Sequence, residues 1–159
     1  MCSTNKIKIA TLNDGPSIQL VFRLAITETC GNDYSSEQLQ TWAHALDHPA
    51  RLNEKIQRDY FLILWIDSEC AGFASLDNDL VDLLYVSPFY QRRGFATMLY
   101  KKLEERVLEK QFFKIRTYAS TTAAPFFQRM GFKHISSNTE LINNLSIPNW
   151  IMEKKLAHP

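Results

Sequence analysis

The chain has three cysteines, Cys2, Cys30 and Cys70, odd in number, far apart and without a CxxC pair. Neither a zinc ribbon nor a disulfide framework is indicated. Free thiols fit a reducing cytoplasm, and Cys70 reads as a small buried apolar residue. His44, His48, His134 and His158 show no ligand spacing, so no metal is expected. The formal net charge is only +1, which leaves no global field to recruit nucleic acid or an anionic membrane. The longest apolar run, Tyr60 to Ile66, has seven residues. That is a buried strand, since a bilayer needs about 20. Lys6 and Lys8 interrupt the early apolar stretch, so no signal peptide is expected. There is no GxSxG for a serine hydrolase, and no GxGxxG or GxxxxGK[ST] loop for a dinucleotide or nucleoside triphosphate. With 5 glycines and 6 prolines, no linker, repeat or low-complexity segment stands out.

What is present is an ordinary globular composition, 45% apolar and 22% charged over 159 residues. One domain, 1–159, with a sizeable core is expected. Alternation over Lys6 to Leu12 predicts a first strand. Asn13-Asp14-Gly15-Pro16 is turn chemistry, with Asp14 or Ser17 to cap a helix over Ile18 to Cys30. Ser35 and Gln38 have capping-box spacing for a second helix ended by Pro49, and a short polar helix follows over Leu52 to Arg58. Tyr60 to Ile66, Cys70 to Leu76 and Leu80 to Val86 predict a three-strand meander. Phe95, Leu99, Leu103 and Val107 recur every four residues, an amphipathic helix over Thr97 to Lys110. A strand over Phe112 to Ala119, a helix over Ala123 to Met130 stopped by Gly131, and strands over Phe132 to Ile135 and Trp150 to Leu156 complete a mixed α/β layout. Ser136 to Asn149 has no assignment.

Gln91-Arg92-Arg93-Gly94-Phe95-Ala96 stands between the last strand of the meander and the amphipathic helix. Main-chain N–H groups from Arg93 to Thr97 open that helix and have no partner inside it. The helix dipole favours an anion there by roughly 0.3–1 kcal/mol. Gly94 permits close approach and unusual φ, Arg92 and Arg93 add charge, and Thr97 adds a hydroxyl. The arrangement suits a phosphate. The alternative is a surface turn with two solvated arginines.

The turn matches the Q/R-x-x-G-x-G/A element that binds the pyrophosphate of acetyl-coenzyme A. Leu83-Leu84-Tyr85-Val86-Ser87-Pro88-Phe89-Tyr90 before it, the segment Ala123-Ala124-Pro125-Phe126-Phe127-Gln128-Arg129-Met130-Gly131-Phe132, and the ending Trp150 to Leu156 strengthen the match. The chain therefore resembles the Gcn5-related N-acetyltransferase (GNAT) superfamily. The match is most specific from Val81 to Phe132, and Tyr34-Ser35…Gln38…Trp42 is similar to a small bacterial subgroup. The resemblance implies a mixed central sheet of six to seven strands flanked by helices, with the fourth and fifth strands splayed. It implies acetyl-CoA as co-substrate, its pantetheine arm pairing with the main chain of Tyr85 and Val86 by strand addition. Gln91 to Thr97 would take the pyrophosphate. Ser120 stands where the family often has an arm-contacting Asn, and Phe127 lies on the cofactor helix.

Acetyl transfer needs a neutral amine, and an alkylammonium of pKa about 10 must first lose a proton. Asp82 is the candidate base: histone-type members carry a glutamate there, and an acid in an apolar strand has a raised pKa. The alternative is a carboxylate facing water or bonded to a turn. Many relatives place a proton-donating tyrosine where this chain has Phe127. Tyr85, Tyr118 and Ser120 are the hydroxyls that could replace it, and the departure also suits a non-catalytic acyl-CoA-binding sensor or interaction module. The family's acceptor pocket, built by the first two helices and the last hairpin, points to Tyr34, Trp42, His44 and Trp150. The acceptor is a small-molecule or peptide amine, with polyamine, amino acid, antibiotic and protein lysine all open. Many relatives dimerise, which leaves a homodimer open.

Overall fold

Alternation within the strands creates two cores, one on each face of a sheet. The computed structural model describes residues 3–157; Cys2 and His158 lie outside them. In β2 (Tyr60–Ile66), Phe61 and Ile63 point to one face while Leu62, Leu64 and Ile66 point to the other, as a period of two requires. The first face is covered by α1 (Gly15–Thr29), through Ile18, Val21, Phe22 and Ile26, and by α3 (Pro49–Arg58), through Leu52 and Ile56. The second is covered by α4 (Phe95–Glu109), through Phe95, Leu99, Leu103 and Val107, and by α5 (Ala124–Arg129).

The remaining elements are β1 (Asn5–Ile9), α2 (Ser36–Ala43), β3 (Glu69–Asp77), β4 (Leu80–Val86), β5 (Lys114–Ser120), β6 (Lys133–Ile142) and β7 (Leu145–Lys155). The seven strands order as β1-β2-β3-β4-β5-β7-β6, a mixed sheet in which only β4 and β5 run parallel. That pair is short. It covers Leu80↔Arg116 and Val81↔Thr117 and then stops, which is the splay that the sequence resemblance implies. The closed end is stapled: Arg116 donates Nε and Nη2 to the Asp79 carboxylate, both at 3.0 Å, and Thr117 Oγ1 donates to the Val81 carbonyl at 3.0 Å.

The Ser35–Gln38 capping box is present, with Gln38 N–H donating to Ser35 Oγ at 3.1 Å and Ser35 N–H to Gln38 Oε1 at 2.8 Å. Three expectations are corrected. Pro49 does not end α2, which stops at Ala43; it begins α3, where a fixed φ and a missing N–H suit the first helical position. The first strand ends at Ile9, and Leu12–Asp14 forms a 3-10 turn whose Asp14 carboxylate accepts the Thr11 N–H at 2.7 Å. Asp14 therefore caps that turn and supplies no side-chain cap to α1. Ser136 to Asn149 forms most of the long β6–β7 hairpin, turning on Asn143 (φ 50°) and Asn144 (φ 65°). Two consecutive positive φ values are what a two-residue hairpin turn demands, and Asn tolerates them. Of the thiols, Cys30 is buried and Cys70 only half-buried.

Candidate active site

The decisive local feature is an extra residue in β4. Leu76 pairs with Val81 and Ser75 with Leu83, so Asp82 is bulged out of the ladder. The faces confirm it: Val81 joins the core under α4, whereas Leu83 joins the core under α1. A bulge bends its strand and re-aims a side chain. The β4–β5 pairing ends one residue before it, so the gap between the strands opens at Asp82.

Two cavities meet at this gap. The first, about 400 Å³, runs over Gln91, Arg92 and Gly94 to Thr97, then along Leu84, Tyr85 and Val86 toward α5. Gly94 is left-handed (φ 80°, ψ 9°) and caps α4 without a side-chain hydrogen bond. Met98 N–H is the first to bond back into the helix, to Gly94 O at 3.0 Å, so the N–H groups of 94–97 lack an intrahelical partner. A Cβ at Gly94 would meet nothing within 4 Å, so glycine serves the backbone angle and leaves the space above it clear. The Gln91 side chain donates to the Val86 carbonyl at 2.8 Å and ties the turn to the end of β4. Arg93 does not line the groove; it lies over the Tyr90 ring, 5.5 Å from its centroid.

The second cavity, about 250 Å³, is walled by Phe22, Tyr34, Trp42 and Tyr85 and carries Arg51, Lys55, Asp82, Tyr118 and Glu140. Trp42, Leu84, Tyr85, Ser120, Ala123 and Phe127 line both cavities. Asp82 is ion-paired: Lys55 Nζ donates to its Oδ2 at 2.5 Å, the side chains being 26% and 18% exposed. The apolar setting expected for Asp82 is thus corrected to a half-buried ion pair. Burial pushes the Tyr85 phenol above its ordinary range, with the Trp42 side chain acting in the opposite direction. It stays protonated at neutral pH.

An acetyltransferase (GNAT) domain model matches residues 30–155. The chain belongs to the GNAT acetyltransferase family. It is 32% identical over 156 residues to YafP of Escherichia coli K12, an uncharacterized N-acetyltransferase, covering 97% of this chain and 99% of that one. Its structure resembles a GCN5-related N-acetyltransferase of Rhodopseudomonas palustris, with TM-score 0.93, 30% identity and coverage of 98% and 99% of the two chains. It shares the fold of the Thermoplasma acidophilum PaiA N-acetyltransferase in complex with coenzyme A, with TM-score 0.81 at 23% identity over 96% and 99%.

In this acetyltransferase, Asp82, Tyr85 and Tyr118 come together in one cavity, although Tyr118 is 46% exposed. Ser120 sits at the junction, its Oγ accepting the Ala123 N–H at 3.0 Å. Phe127, 4% exposed, packs edge-on with Tyr100, Phe126 and Phe132. Tyr34 lines the acceptor side, but its hydroxyl is engaged: it donates to Pro148 O at 2.6 Å and accepts the Thr121 N–H at 2.9 Å. Trp42 stands edge-on to Tyr34 and Tyr85. Two candidates are not brought to the acceptor cavity. Trp150 packs against His134 with the α4-side core, because alternation along β7 turns Ile147 and Asn149 toward the cavity instead. His44 hydrogen-bonds Asp47 on the surface.

Sequence reasoning missed Arg51, Lys55 and Glu140. The first two flank the Leu52–Ile56 stripe of α3 at i, i+4 spacing, which puts them side by side. Nothing in the sequence says which strand they face. Among the described residues, no group of three or more His, Cys, Asp or Glu side chains is placed to hold a metal.

Proposed function

We propose that the chain, as one GNAT-type domain over residues 1–159, is an acetyl-CoA-dependent N-acetyltransferase that moves an acetyl group to a primary amine by direct attack in a ternary complex. One juxtaposition supports it: the open helix terminus at Gly94 and the bulged Asp82 face two cavities that share a wall at the β4–β5 gap. Acetyl-CoA supplies an acetyl group on a thioester, whose thiolate is a tolerable leaving group.

The residues present fit that co-substrate. N–H groups of 94–97 take the pyrophosphate, with Arg92 beside them. Beyond Val81 the edge of β4 has no β5 partner, so its main chain is available to the amide-rich arm. The Val86 carbonyl, already accepting from Gln91, has a second lone pair. Asp82 is the base: Lys55 holds Oδ2 and Oδ1 takes the proton of an incoming ammonium. Tyr85 and Tyr118 are the hydroxyls that take the proton-donating role Phe127 cannot; burial raises the Tyr85 phenol and so works against donation from it, while Tyr118 stands exposed at the mouth. Tyr34 and Trp42 form the acceptor wall. The half-buried and buried free thiols fit a reducing cytoplasm.

Calorimetric titration with acetyl-CoA tests the reading, together with release of CoA in the presence of amines. Saturable binding and amine-dependent release are expected. No heat at millimolar acetyl-CoA removes it.

A further inference from the structure

We infer that the acceptor is a small aminocarboxylate with an apolar body, its carboxylate bound by Arg51. The inference rests on the acetyl-transfer reading for which end of the acceptor reacts, and on the charges of the second cavity for its class. That cavity carries two cations, Arg51 and Lys55, and two carboxylates, Asp82 and Glu140. Lys55 and Asp82 satisfy each other at 2.5 Å. Arg51 and Glu140 do not: neither has an ion pair or side-chain hydrogen bond with any described residue. Both are solvent-exposed, so one spare positive and one spare negative group line the same small space from its open side, an arrangement complementary to a zwitterion.

A guanidinium presents a planar fork of donors that matches a carboxylate in two parallel hydrogen bonds. Arg51 stands one helical turn from Lys55 on α3, so the carboxylate it holds lies about one turn from the Asp82 base. Glu140, on the hairpin strand β6, offers charge to the ammonium as it enters. A polyamine or a lysine-rich peptide would instead leave Arg51 as an unmatched cation on the wall, and cavities built for such ligands carry an excess of acid, which this one lacks. The volume, about 250 Å³, takes one small molecule. The remaining wall is aromatic: Phe22 and Trp42 both meet the Tyr85 ring edge-on, at 4.9 and 6.5 Å between centroids. It suits an apolar body between the two charged ends.

Matched acceptors test this. The protein alone is titrated calorimetrically with L-phenylalanine against phenethylamine, and with δ-aminovalerate against butylamine. CoA release is then measured with the same four, the twenty standard amino acids, spermidine and a lysine peptide. At least one aminocarboxylate should bind and turn over with kcat/KM about tenfold or more above its decarboxylated partner, as expected for a charge-assisted hydrogen bond. Arg51→Gln should collapse that ratio, chiefly through KM, and Arg51→Lys should recover part of it. Acetyl-CoA affinity in each variant reports that the fold survives. Preference for spermidine or the lysine peptide, an unchanged ratio in Arg51→Gln, or acetyl-CoA binding with no aminocarboxylate bound or acetylated would each overturn the inference. The titrations with amino acid alone need no cofactor. Absence of acetyl-CoA binding would therefore strike the acetyl-transfer reading, while the aminocarboxylate inference would stand or fall on those titrations.

Discussion

The two cavities on either side of the β4–β5 gap are made in different ways. The groove over Gly94 takes its anion donors from the main chain of 94–97 and about half of its lining from one continuous stretch, Leu84 to Thr97, the rest coming from the end of α1, Trp42 and the segment from Ser120 through α5. The acceptor cavity is built from side chains contributed by α1, α2, α3, β4, β5 and the β6–β7 hairpin. A main-chain site depends on φ and on helix ends, so it survives many side-chain changes and fails when the backbone is re-angled. A side-chain site changes charge with a single substitution while the frame stays intact. One fold can therefore keep a common co-substrate and vary its acceptor.

This contrast can be broken by experiment. The largest effect is expected from Asp82→Asn, which removes the base and leaves Lys55 without its carboxylate. Turnover should fall by about 10²–10⁴-fold with acetyl-CoA affinity nearly intact; steady-state kinetics beside calorimetry would read the split, and an equal loss in both would mean that the cavities are not separable. On the other side, Gly94→Glu should weaken acetyl-CoA binding by about 100-fold, because a negative charge at a helix N-terminus joins the strain of a left-handed residue at φ 80°. Gly94→Asn, which tolerates that angle, should stay within about tenfold. Matching losses in the two variants would show that the anion is not held there.

Gly72→Ala tests whether the wall common to both cavities is rigid. Its Cβ would meet the Tyr85 carbonyl at 2.8 Å and the Leu99 and Val86 side chains at 3.3 Å, so overpacking should cost about 1–3 kcal/mol. Thermal melting should drop by roughly 2–10 °C, whereas an unshifted melt would mean that β3 and β4 slide apart freely. The smallest effect concerns Cys70. Burial pushes its thiol from 9.0 up to about 11. The folded chain holds a proton that the unfolded chain loses, so this contribution is complete below about pH 9 and fades as pH rises toward 11. Urea denaturation across that window should show a shallower alkaline loss in Cys70→Ala than in the parent, and parallel curves would refute the assignment.

The order of elements was readable almost throughout, because hydrophobic period and turn chemistry are local. Leu80 to Val86 was placed to the residue. So was the Ser35–Gln38 capping box; at Gly94 the sequence indicates only a turn that tolerates unusual φ, and α4 begins at Phe95, two residues before the expected Thr97. Asn143-Asn144 suits a hairpin turn, but the exposed β6 shows no alternation to frame it. The candidate site divided along the same line. Six of the seven turn residues line the groove, and the seventh, Arg93, is drawn off by Tyr90. Asp82 was found by family position, but its bulge and its Lys55 partner were invisible: both depend on pairing with residues distant in sequence.

By itself the sequence determined the composition of the two faces of each element, the helix ends and the phosphate-ready turn, because each follows from neighbours within a few residues. Only the tertiary structure decided that β4 carries an extra residue at Asp82, that β5 parts from it there, and that Arg51 and Glu140 face one cavity without partners. Those outcomes arise from strand register and from helices packing across the sheet. The free energy of such contacts is settled between segments tens of residues apart, where no local pattern records it.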